Sequence, residues 1–594
     1  RVVTGVQTCA LPIYGMYHLM EGKRYSYSAT CLGYISTAGR FTASEGLVLT
    51  VSMTKALDNP DLVQDLPAQW ENFRGNSDNN GVTETETPRD ADEAELYWAS
   101  KLGEGFGSEA TGSPIIVDDA LIFTAGRYIY RMDRFTGEVL AQAQMCGKSA
   151  YNLIPPTYGD GMIFVGMAGG TVQAFNAATL KSLWVYENAW GGQPNCPITY
   201  QDGYIYTGFW NWDYEEAQFV CVPATDEYPL QTMERKTEAW AYTYRGGFYW
   251  AGAYAGDGYV LVGTDDGQSG TAPTGQVLSF DSRTGRLLDS LTGLNGDVRC
   301  TIVHDPATGR CYFDTTGGTF YGVRVDESGH FVEGSLQTLD LGAGEALIGS
   351  TSTPVVYNGR AYIGVRGENQ FEPYGGHTIA VIDLSEEGLS IAYTCNTGGY
   401  CQSSGLLSIG YTEDEDGWVY VYFIENYYPG KVRVVKDRKG ETGLANAVTE
   451  TYTYQGINHT AENCAPVLFT PQGGQRAFAI GSAIVDEYGT LYFKNDSAYM
   501  MAVGSRVERI EVTEQPDKTA YAAGESFDPS GMKVVAHLSN GLTRDVTDRV
   551  TWSEEGLSAS DGEVLIYYTD VLYHDSTTAT GDNRTGVIDR KSVV

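Results

Sequence analysis

Aromatic and acidic side chains recur together in a few polar segments of this sequence, and their chemistry points to ligand binding. An indole or phenol face can stack on the apolar face of a sugar ring, and nearby carboxylates can accept hydrogen bonds from its hydroxyls. The sequence therefore predicts a site for a glycan or a protein ligand. The candidate residues are Trp190, Trp210, Trp212, Asp213, Tyr249, Trp250, Asp265 and Asp266.

The same aromatic residues have a second interpretation. Large rings also pack between repeated structural units, and in that case they would contribute stability and contact no ligand. The sequence leaves both interpretations open.

The common catalytic motifs do not occur in the chain. It contains no G-x-S-x-G and no H-E-x-x-H, and its seven histidines are dispersed. Cys146-Gly-Lys-Ser149 resembles the end of a phosphate-binding loop, but Gln142 stands where the first Gly belongs. We assign this match to chance. The sequence favours a protein that is not an enzyme, with no catalytic residue, no metal and no cofactor.

A pattern of short strands repeats along most of the chain. In the first copy, Ser113–Leu140, Asp118-Asp119 forms a tight turn and Asp133–Gly137 turns into a fourth strand. Gly supplies the positive φ of such a turn, and Asp can hydrogen-bond its backbone. The further copies are Pro156–Trp184, Pro197–Val222, Ala253–Leu288, Thr301–Val325, Pro354–Leu384, Leu406–Val435 and Ser482–Val503.

A four-stranded unit repeated every ~40–55 residues is typical of a β-propeller. The number of copies predicts eight blades, with seven as the alternative. The fold class is therefore all-β, a seven- or eight-bladed β-propeller over residues 70–504, flanked by small β-sandwich domains. Leu96–Ser100 is expected to pair with the last blade near Leu491–Val503, because ring closure removes an open sheet edge.

The repeats resemble a known family. Pro114-Ile-Ile-Val117, Gly159-Asp-Gly-Met-Ile-Phe-Val-Gly166 and Asp281-Ser-Arg-Thr-Gly285 are similar to the repeat of pyrroloquinoline-quinone-like (PQQ-like) propellers. The resemblance implies the propeller architecture. Related quinone dehydrogenases need a quinone stacked on Trp, a Ca²⁺, a catalytic Asp and often two adjacent cysteines. The chain has no adjacent cysteine pair and no C-x-x-C-H motif, which disfavours a quinone enzyme.

Loop lengths differ between the two faces of the predicted ring. With the strands of each blade labelled A to D from the inside, the A–B and C–D turns are mostly minimal. The longer insertions fall in B–C and D–A loops, which share the opposite face, and the aromatic candidates lie in these loops. Binding residues usually lie on loops carried by a rigid scaffold, so we expect the candidates to converge on one sector of the long-loop face.

The segments outside the propeller predict small β domains. Residues 14–56 resemble part of a carboxypeptidase-regulatory-like or Ig-like sandwich, and residues 57–69 read as a linker. Residues 507–574 resemble a bacterial Ig-like domain of group 3. That resemblance rests on Arg509–Pro516, Tyr521–Asp528, Gly531–Val534 and Asn540-Gly541.

Both ends of the chain look foreign to these domains. Arg1–Ile13 resembles translated sequencing adapter, and the end of a disordered tail over residues 575–594 looks similar. Arg1–Ile13 and Gly581–Val594 are therefore expected to pack on nothing, so that their deletion would not lower thermal stability.

The net charge and the cysteines limit the classes of function that the protein can have. A formal charge of −36 and a pI near 4.5 argue against nucleic acid, and no apolar run is long enough to span a membrane. Cys300 with Cys311 and Cys395 with Cys401 could pair across turns or stay buried thiols. We expect a monomeric bacterial protein, extracellular or on the cell surface, acting as a binding module. A quinoprotein-type or carbohydrate-active enzyme and an envelope-assembly scaffold are the alternatives.

Overall fold

The computed structural model describes most of the chain from residue 63 to residue 552 and shorter pieces on either side. The described residues are 21–29, 37–44, 47, 49, 63–102, 111–149, 154–229, 231–265, 275–342, 349–369, 371–413, 415–552, 563–568, 572–575 and 591–593.

These residues form an all-β structure, as predicted. Their only helical turns are two 3-10 turns, Gly473–Gln475 and Thr547–Arg549. Eight sheets contain an up-and-down antiparallel unit of four strands in the repeating order expected of propeller blades. The B strands are almost entirely buried, because blades cover both of their faces and leave no solvent side for polar residues.

The blades follow one another in the sequence, with strands A to D given in order. Blade one comprises Ile115–Val117, Ala120–Ala125, Tyr128–Asp133 and Val139–Gln144. Blade two comprises Thr157–Gly159, Met162–Met167, Thr171–Asn176 and Ser182–Glu187. Blade three comprises Thr199–Gln201, Tyr204–Gly208, Glu216–Pro223 and Trp240–Arg245. Blade four comprises Tyr254–Ala255, Tyr259–Gly263, Val277–Asp281 and Leu287–Leu291.

The second half of the ring repeats the pattern. Blade five comprises Val303–Asp305, Arg310–Asp314, Thr319–Arg324 and Gln337–Asp340. Blade six comprises Val355–Tyr357, Arg360–Val365, Thr378–Leu384 and Leu389–Asn396. Blade seven comprises Leu406–Ser408, Val419–Ile424, Val432–Asp437 and Val467–Phe469. Blade eight comprises Ile484–Val485, Leu491–Lys494, Tyr499–Ser505 and Ala94–Lys101.

Ring closure is confirmed. The strand Ala94–Lys101 precedes the first blade in sequence but pairs antiparallel with Tyr499–Ser505, with Leu96 opposite Val503 and Ser100 opposite Met500. One blade thus combines the two ends of the propeller segment, and the first and last repeats share a sheet with no open edge between them.

Tryptophans join neighbouring blades at three places. Trp98, Trp184 and Trp240 lie on D strands, and each indole N–H donates to a backbone carbonyl at the C–D turn of the next blade. The acceptors are Arg134 (2.8 Å), Ala224 (2.8 Å) and Ser282 (2.9 Å). These three tryptophans are called the docked tryptophans below.

The repeated turn glycine is explained by this docking. Gly137 and Gly285 have positive φ, and a Cβ on either would lie 2.6 Å from the Trp98 ring or 2.5 Å from the Trp240 ring. Blade two has Leu180 at the equivalent turn position, and the preceding D strand has Ala141 instead of a tryptophan. Leu180 and Ala141 pack in one cluster, so the larger turn residue accompanies the smaller strand residue.

Residues 71–83, called the crossing segment here, lie inside the ring. The Glu71 carbonyl accepts from Tyr158 of blade two (2.7 Å), and Asn80 exchanges hydrogen bonds with Val356 of blade six. Val82–Thr83 then pairs with the A strand of blade seven. The segment uses the free inner edges of the A strands, so it fills part of the central channel.

The turn-rich face carries two insertions that the sequence comparison of loop lengths missed. Residues 224–239 include the strand Glu234–Lys236, which adds to the outer edge of blade two. Residues 438–466 include a hairpin of Val448–Tyr454 and Ile457–Cys464, which adds to blade six. The first insertion is part of blade three and the second is part of blade seven, and each pairs with the blade before its own. The insertions therefore connect neighbouring blades at the rim.

Two smaller units flank the ring. Arg24–Ala29 pairs with Thr37–Thr42. After the propeller, one sheet comprises Val507–Glu514, Lys533–Leu538 and Thr543–Asp545, and another comprises Val550–Trp552, Leu565–Tyr568 and Lys591–Val593. The domain types proposed for these segments stay predictions.

The C-terminal unit packs on blade eight. The Arg544 guanidinium lies 4.4 Å from the centre of the Tyr97 ring, and Asn540 Nδ2 donates to the Glu86 carbonyl (2.8 Å). Leu572–Asp575 adds a parallel fifth strand to blade eight.

The expectation that Gly581–Val594 packs on nothing is wrong for its last residues. Lys591–Val593 pairs with Leu565–Tyr568, because this strand otherwise offers an unpaired edge. Arg1–Ile13 lies outside the described residues.

The two cysteine pairs that could have formed disulfides are thiols in the described part of the chain. Cys300, Cys311, Cys395 and Cys401 are all buried and unpaired. Cys300 Sγ instead accepts the N–H of Asp314 (3.3 Å).

Candidate functional site

The aromatic candidates lie in two loops that share one face of the ring. The B–C loop of blade three, residues 209–215, carries Trp210, Trp212 and Asp213. The D–A loop that follows, residues 246–253, carries Tyr249 and Trp250. The loops are held together, since the Phe248 N–H donates to the Phe209 carbonyl (3.0 Å).

The four rings form a continuous row, called the aromatic cluster below. The centres of Trp212 and Trp210 are 5.3 Å apart, those of Trp210 and Tyr249 are 4.8 Å apart, and Tyr249 stacks on Trp250 at 4.6 Å. Trp190 lies in the D–A loop before blade three, and its carbonyl accepts a hydrogen bond from Asn211 Nδ2 (3.3 Å). The structure therefore brings these five predicted residues into one sector.

The rings differ in their access to solvent. The exposed fractions of Trp212 and Trp190 are 56% and 48%, whereas that of Trp210 is 8%. Trp210 is also fixed by a two-way backbone pairing with Gln193. Two indoles can thus offer a stacking face, and Trp210 packs against one of them, Trp212. For Trp210 the packing interpretation describes its position better.

Arg299 organises the polar side of the cluster, and the sequence analysis did not single it out. Its guanidinium contacts Asp265 (2.6 Å), Asp213 (3.5 Å) and Asp297 (3.6 Å), and it lies 4.8 Å from the centre of the Tyr249 ring. Arg299 stands directly before a buried Cys-Thr-Ile run, and no sequence motif marks it. Only the folded chain places it beside the three aspartates.

The predicted aspartates have different surroundings. Burial raises the pKa of Asp265 to about 7, and the guanidinium of Arg299 opposes this shift. Because Asp265 is buried and paired with Arg299, its carboxylate positions that guanidinium. A ligand contact by Asp265 stays a prediction. Asp213 remains partly exposed. Asp266 lies outside the described residues.

A small cavity lies beside the cluster, on the axis of the ring. It has a volume of about 40 Å³, and it combines Phe73 of the crossing segment with residues that precede the A strands. Trp250 and Arg299 belong to its wall. Thr353, Ser404 and Ser482 contribute hydroxyl groups to the same wall.

Trp250 links the cluster to this cavity in an unusual backbone conformation. Its φ is +58°, a left-handed value that costs a bulky residue about 1–3 kcal/mol. Such strained residues concentrate at functional sites and persist where the surrounding structure fixes them.

The described residues do not fit a pyrroloquinoline quinone. The pocket on the axis has a volume of about 40 Å³, which is too small for a three-ring cofactor. Arg299, which lines the pocket, is paired with Asp265 and Asp297. We therefore derive no reaction step through this cofactor.

Comparison with known proteins supports the architecture. Residues 89–205 match the family model described as outer membrane protein assembly factor BamB. No curated protein sequence matches the chain. No helix in the described part of the chain has the length and apolar character needed to cross a membrane.

Solved structures with similar folds have little sequence identity to the chain. Quinohemoprotein alcohol dehydrogenase from Comamonas testosteroni has 12% identity and a TM-score of 0.49, over 78% of this chain and 83% of that one. The enzyme ADHIIG from Pseudomonas putida HK5 has 11% identity and a TM-score of 0.48, over 77% and 83%. BamB from Moraxella catarrhalis has 13% identity and a TM-score of 0.36, over 65% and 94%. None of these similarities identifies an activity.

Proposed function

We propose that the protein is a non-catalytic, extracellular or cell-surface bacterial binding module that takes carbohydrate at the aromatic cluster. The observation that carries this proposal is the row of rings from exposed Trp212 to Trp250 at the cavity. A sugar can stack on an exposed indole, and the rings packed behind that indole restrict its motion before the sugar binds, so binding costs little entropy.

The polar groups beside the rings suit sugar hydroxyls. The partly exposed Asp213 can accept hydrogen bonds, and Arg299 can donate them, because it has five N–H groups. Arg299 is already held by Asp265, so its orientation does not depend on the ligand. Preorganised donors and acceptors at the edge of an aromatic platform give specificity without a catalytic group.

The direct test is a glycan array with the wild-type protein and Trp212→Ala. We expect the variant to lose at least about tenfold in affinity for any glycan bound by the wild type, since aromatic hot spots contribute ≥ ~2 kcal/mol. Its melting temperature should stay within about 1 °C of the wild type.

Trp418→Ala is the matched control. Trp418 lies in the A–B turn of blade seven, on the opposite face, with Arg438 over its ring (4.4 Å). Unchanged glycan binding in this variant, with loss in Trp212→Ala, would support the proposed site. Equal loss in both variants, or no glycan binding by the wild type, would contradict it.

An envelope-assembly scaffold is the second candidate, because residues 89–205 match the BamB family model. This function would place the partner among outer-membrane proteins or their assembly factors. Cross-linking in cells followed by mass spectrometry would recover such a partner, and glycan binding would then be absent.

The enzyme alternative has its own test. Turnover of an alcohol or sugar by the purified protein with added quinone and Ca²⁺ would replace the binding-module proposal.

A further inference from the structure

A second group of aromatic side chains lies on the long-loop face, four blades further round the ring than the aromatic cluster. The B–C loop of blade seven, residues 425–431, carries Tyr427 and Tyr428, and the connection from blade seven to blade eight, residues 470–483, carries Arg476 and Phe478. The exposed fractions of Tyr428 and Phe478 are 45% and 40%. These four residues are called the second platform below.

The side chains of the second platform pack on one another and on the backbone behind them. Tyr427 and Phe478 meet edge to face with their ring centres 6.3 Å apart, and the guanidinium carbon of Arg476 lies 4.7 Å from the centre of the Tyr428 ring. Tyr427 covers the backbone of Gly399, where an added Cβ would lie 2.2 Å from the Tyr427 Cβ. A supported ring thus stands beside exposed ones, as in the aromatic cluster.

Backbone hydrogen bonds fix both segments of the second platform. The Ala477 N–H donates to the Pro429 carbonyl (3.2 Å), which joins the two segments to each other. The Asp496 N–H donates to the Phe478 carbonyl (2.9 Å), which joins the second segment to blade eight. The rings are therefore placed before any ligand arrives, and preorganised groups lose little entropy on binding.

The loop of Tyr427 and Tyr428 adjoins the same pocket as the aromatic cluster. Asn426 Nδ2, in that loop, donates to Gln402 Oε1 (3.1 Å), and Gln402 lines the pocket on the axis. Trp250 of the aromatic cluster lines this pocket as well. The two groups of rings therefore lie on one face, on either side of the axis, where a single long ligand can contact both.

Arg476 gives the second platform a polar group that is available to a ligand. It is exposed and pairs with no carboxylate in the described part of the chain, whereas Arg299 beside the aromatic cluster contacts three aspartates. A guanidinium has five N–H donors for sugar hydroxyls, and a phenol or phenyl face stacks on the apolar face of a sugar ring. Single exposed aromatic residues are common on protein surfaces, but here two exposed rings and an unpaired guanidinium share two joined loops.

We propose that the second platform is a weaker carbohydrate site, and that it takes a further stretch of the same polysaccharide chain that the aromatic cluster binds. This inference rests on the proposed function. The second site is the weaker one, because the faces of Tyr428 and Phe478 are smaller than the indoles of Trp190 and Trp212. When one chain occupies both sites, its second contact is intramolecular, so a long chain binds more tightly than a short one.

The test compares a hexaose with its soluble parent polysaccharide by isothermal titration calorimetry of the full chain. The probe pairs are cellohexaose with hydroxyethylcellulose, xylohexaose with xylan, and maltohexaose with amylose. For Tyr428→Ala we expect the affinity for the polysaccharide to fall about 10–100-fold and the affinity for the hexaose to stay within about twofold, since the hexaose occupies the stronger site. The melting temperature should stay within about 1 °C, because the side chain is exposed.

Tyr228→Ala is the matched control, since Tyr228 is 42% exposed in the insertion of blade three on the turn-rich face. It should keep both affinities. Tyr428→Trp retains an aromatic face and should also keep the affinity for the polysaccharide, which separates stacking from a change in loop structure.

Three results would count against the inference. Unchanged polysaccharide affinity in Tyr428→Ala, or the same loss in Tyr228→Ala, would overturn it and leave the proposed function standing. A loss of hexaose affinity in Tyr428→Ala as large as the loss of polysaccharide affinity would also overturn it, because the second platform would then be the main site. A wild-type protein that binds no glycan on the array would overturn the proposed function and this inference with it.

Discussion

The tryptophans of this protein serve in two contrasting environments. The docked tryptophans Trp98, Trp184 and Trp240 are buried on D strands, and each N–H has a carbonyl acceptor in the next blade. Trp190 and Trp212 lie in loops of one face and are about half exposed. The difference shows that residue type alone does not assign a role, because the same side chain closes the ring in one region and is available to a ligand in the other.

The largest effect should follow from removing a docked tryptophan. Trp184→Ala deletes a fully buried ring and leaves the Ala224 carbonyl without its donor, so the free energy of unfolding should fall by about 3–5 kcal/mol. Urea denaturation followed by circular dichroism measures this change. Trp190→Ala is the comparison from the loop region and should change it by less than about 0.5 kcal/mol. Equal losses in the two variants would erase the distinction.

The turn glycines should show the same contrast at a smaller scale. Gly285→Ala places a methyl group 2.5 Å from the Trp240 ring at φ +68°, and we expect a loss of about 2–4 kcal/mol. Gly258→Ala has a similar φ of +83° but no atom within 4 Å, and should lose about 1–2 kcal/mol. The difference between the two urea midpoints isolates the contact with the docked ring.

The stability that the loop region contributes should depend on pH through Asp265. The hydrogen bonds of the docked tryptophans, in contrast, join neutral groups. The pKa of Asp265 is raised from 3.8 to about 7, so the folded state holds more protons than the unfolded state between about pH 4 and 7. The contribution of Asp265 to stability is therefore present at low pH and is lost as the pH rises through this window.

Asp265→Asn tests this sign. In the wild type, Asp265 should make the free energy of unfolding fall by at most about 1.4 kcal/mol per pH unit across this window. The variant should not show this contribution. Urea titrations of both proteins at several pH values across the window give the two profiles. Parallel profiles would show that Arg299 keeps Asp265 ionised throughout.

The smallest effect on stability should come with the clearest effect on fluorescence. Replacing Trp190 and Trp212 together by Phe should leave the urea midpoint unchanged and remove a large part of the emission that acrylamide quenches, since both indoles are exposed. Replacing Trp184 and Trp240 by Phe should remove emission that acrylamide hardly reaches. The reverse ranking would mean that the loop rings are covered in solution.

Local chemistry was enough to determine the repeat. Strand periodicity, the Asp-to-Gly turns and the strand Leu96–Ser100 predicted an all-β ring and its closure, because each depends on a few adjacent residues or on the need to pair an edge. The same reasoning placed Trp190, Trp212 and Trp250 on one face, since B–C and D–A loops emerge together.

Only the tertiary structure decided how the site is built. Arg299 meets Asp213 across 86 residues of sequence. Nothing in the local pattern distinguishes this arginine from a surface one. Burial of Trp210 and Asp265 and the insertions that extend blades two and six likewise depend on which segments meet in space. Backbone propensity and turn chemistry act between near neighbours, whereas burial and charge pairing depend on the completed ring.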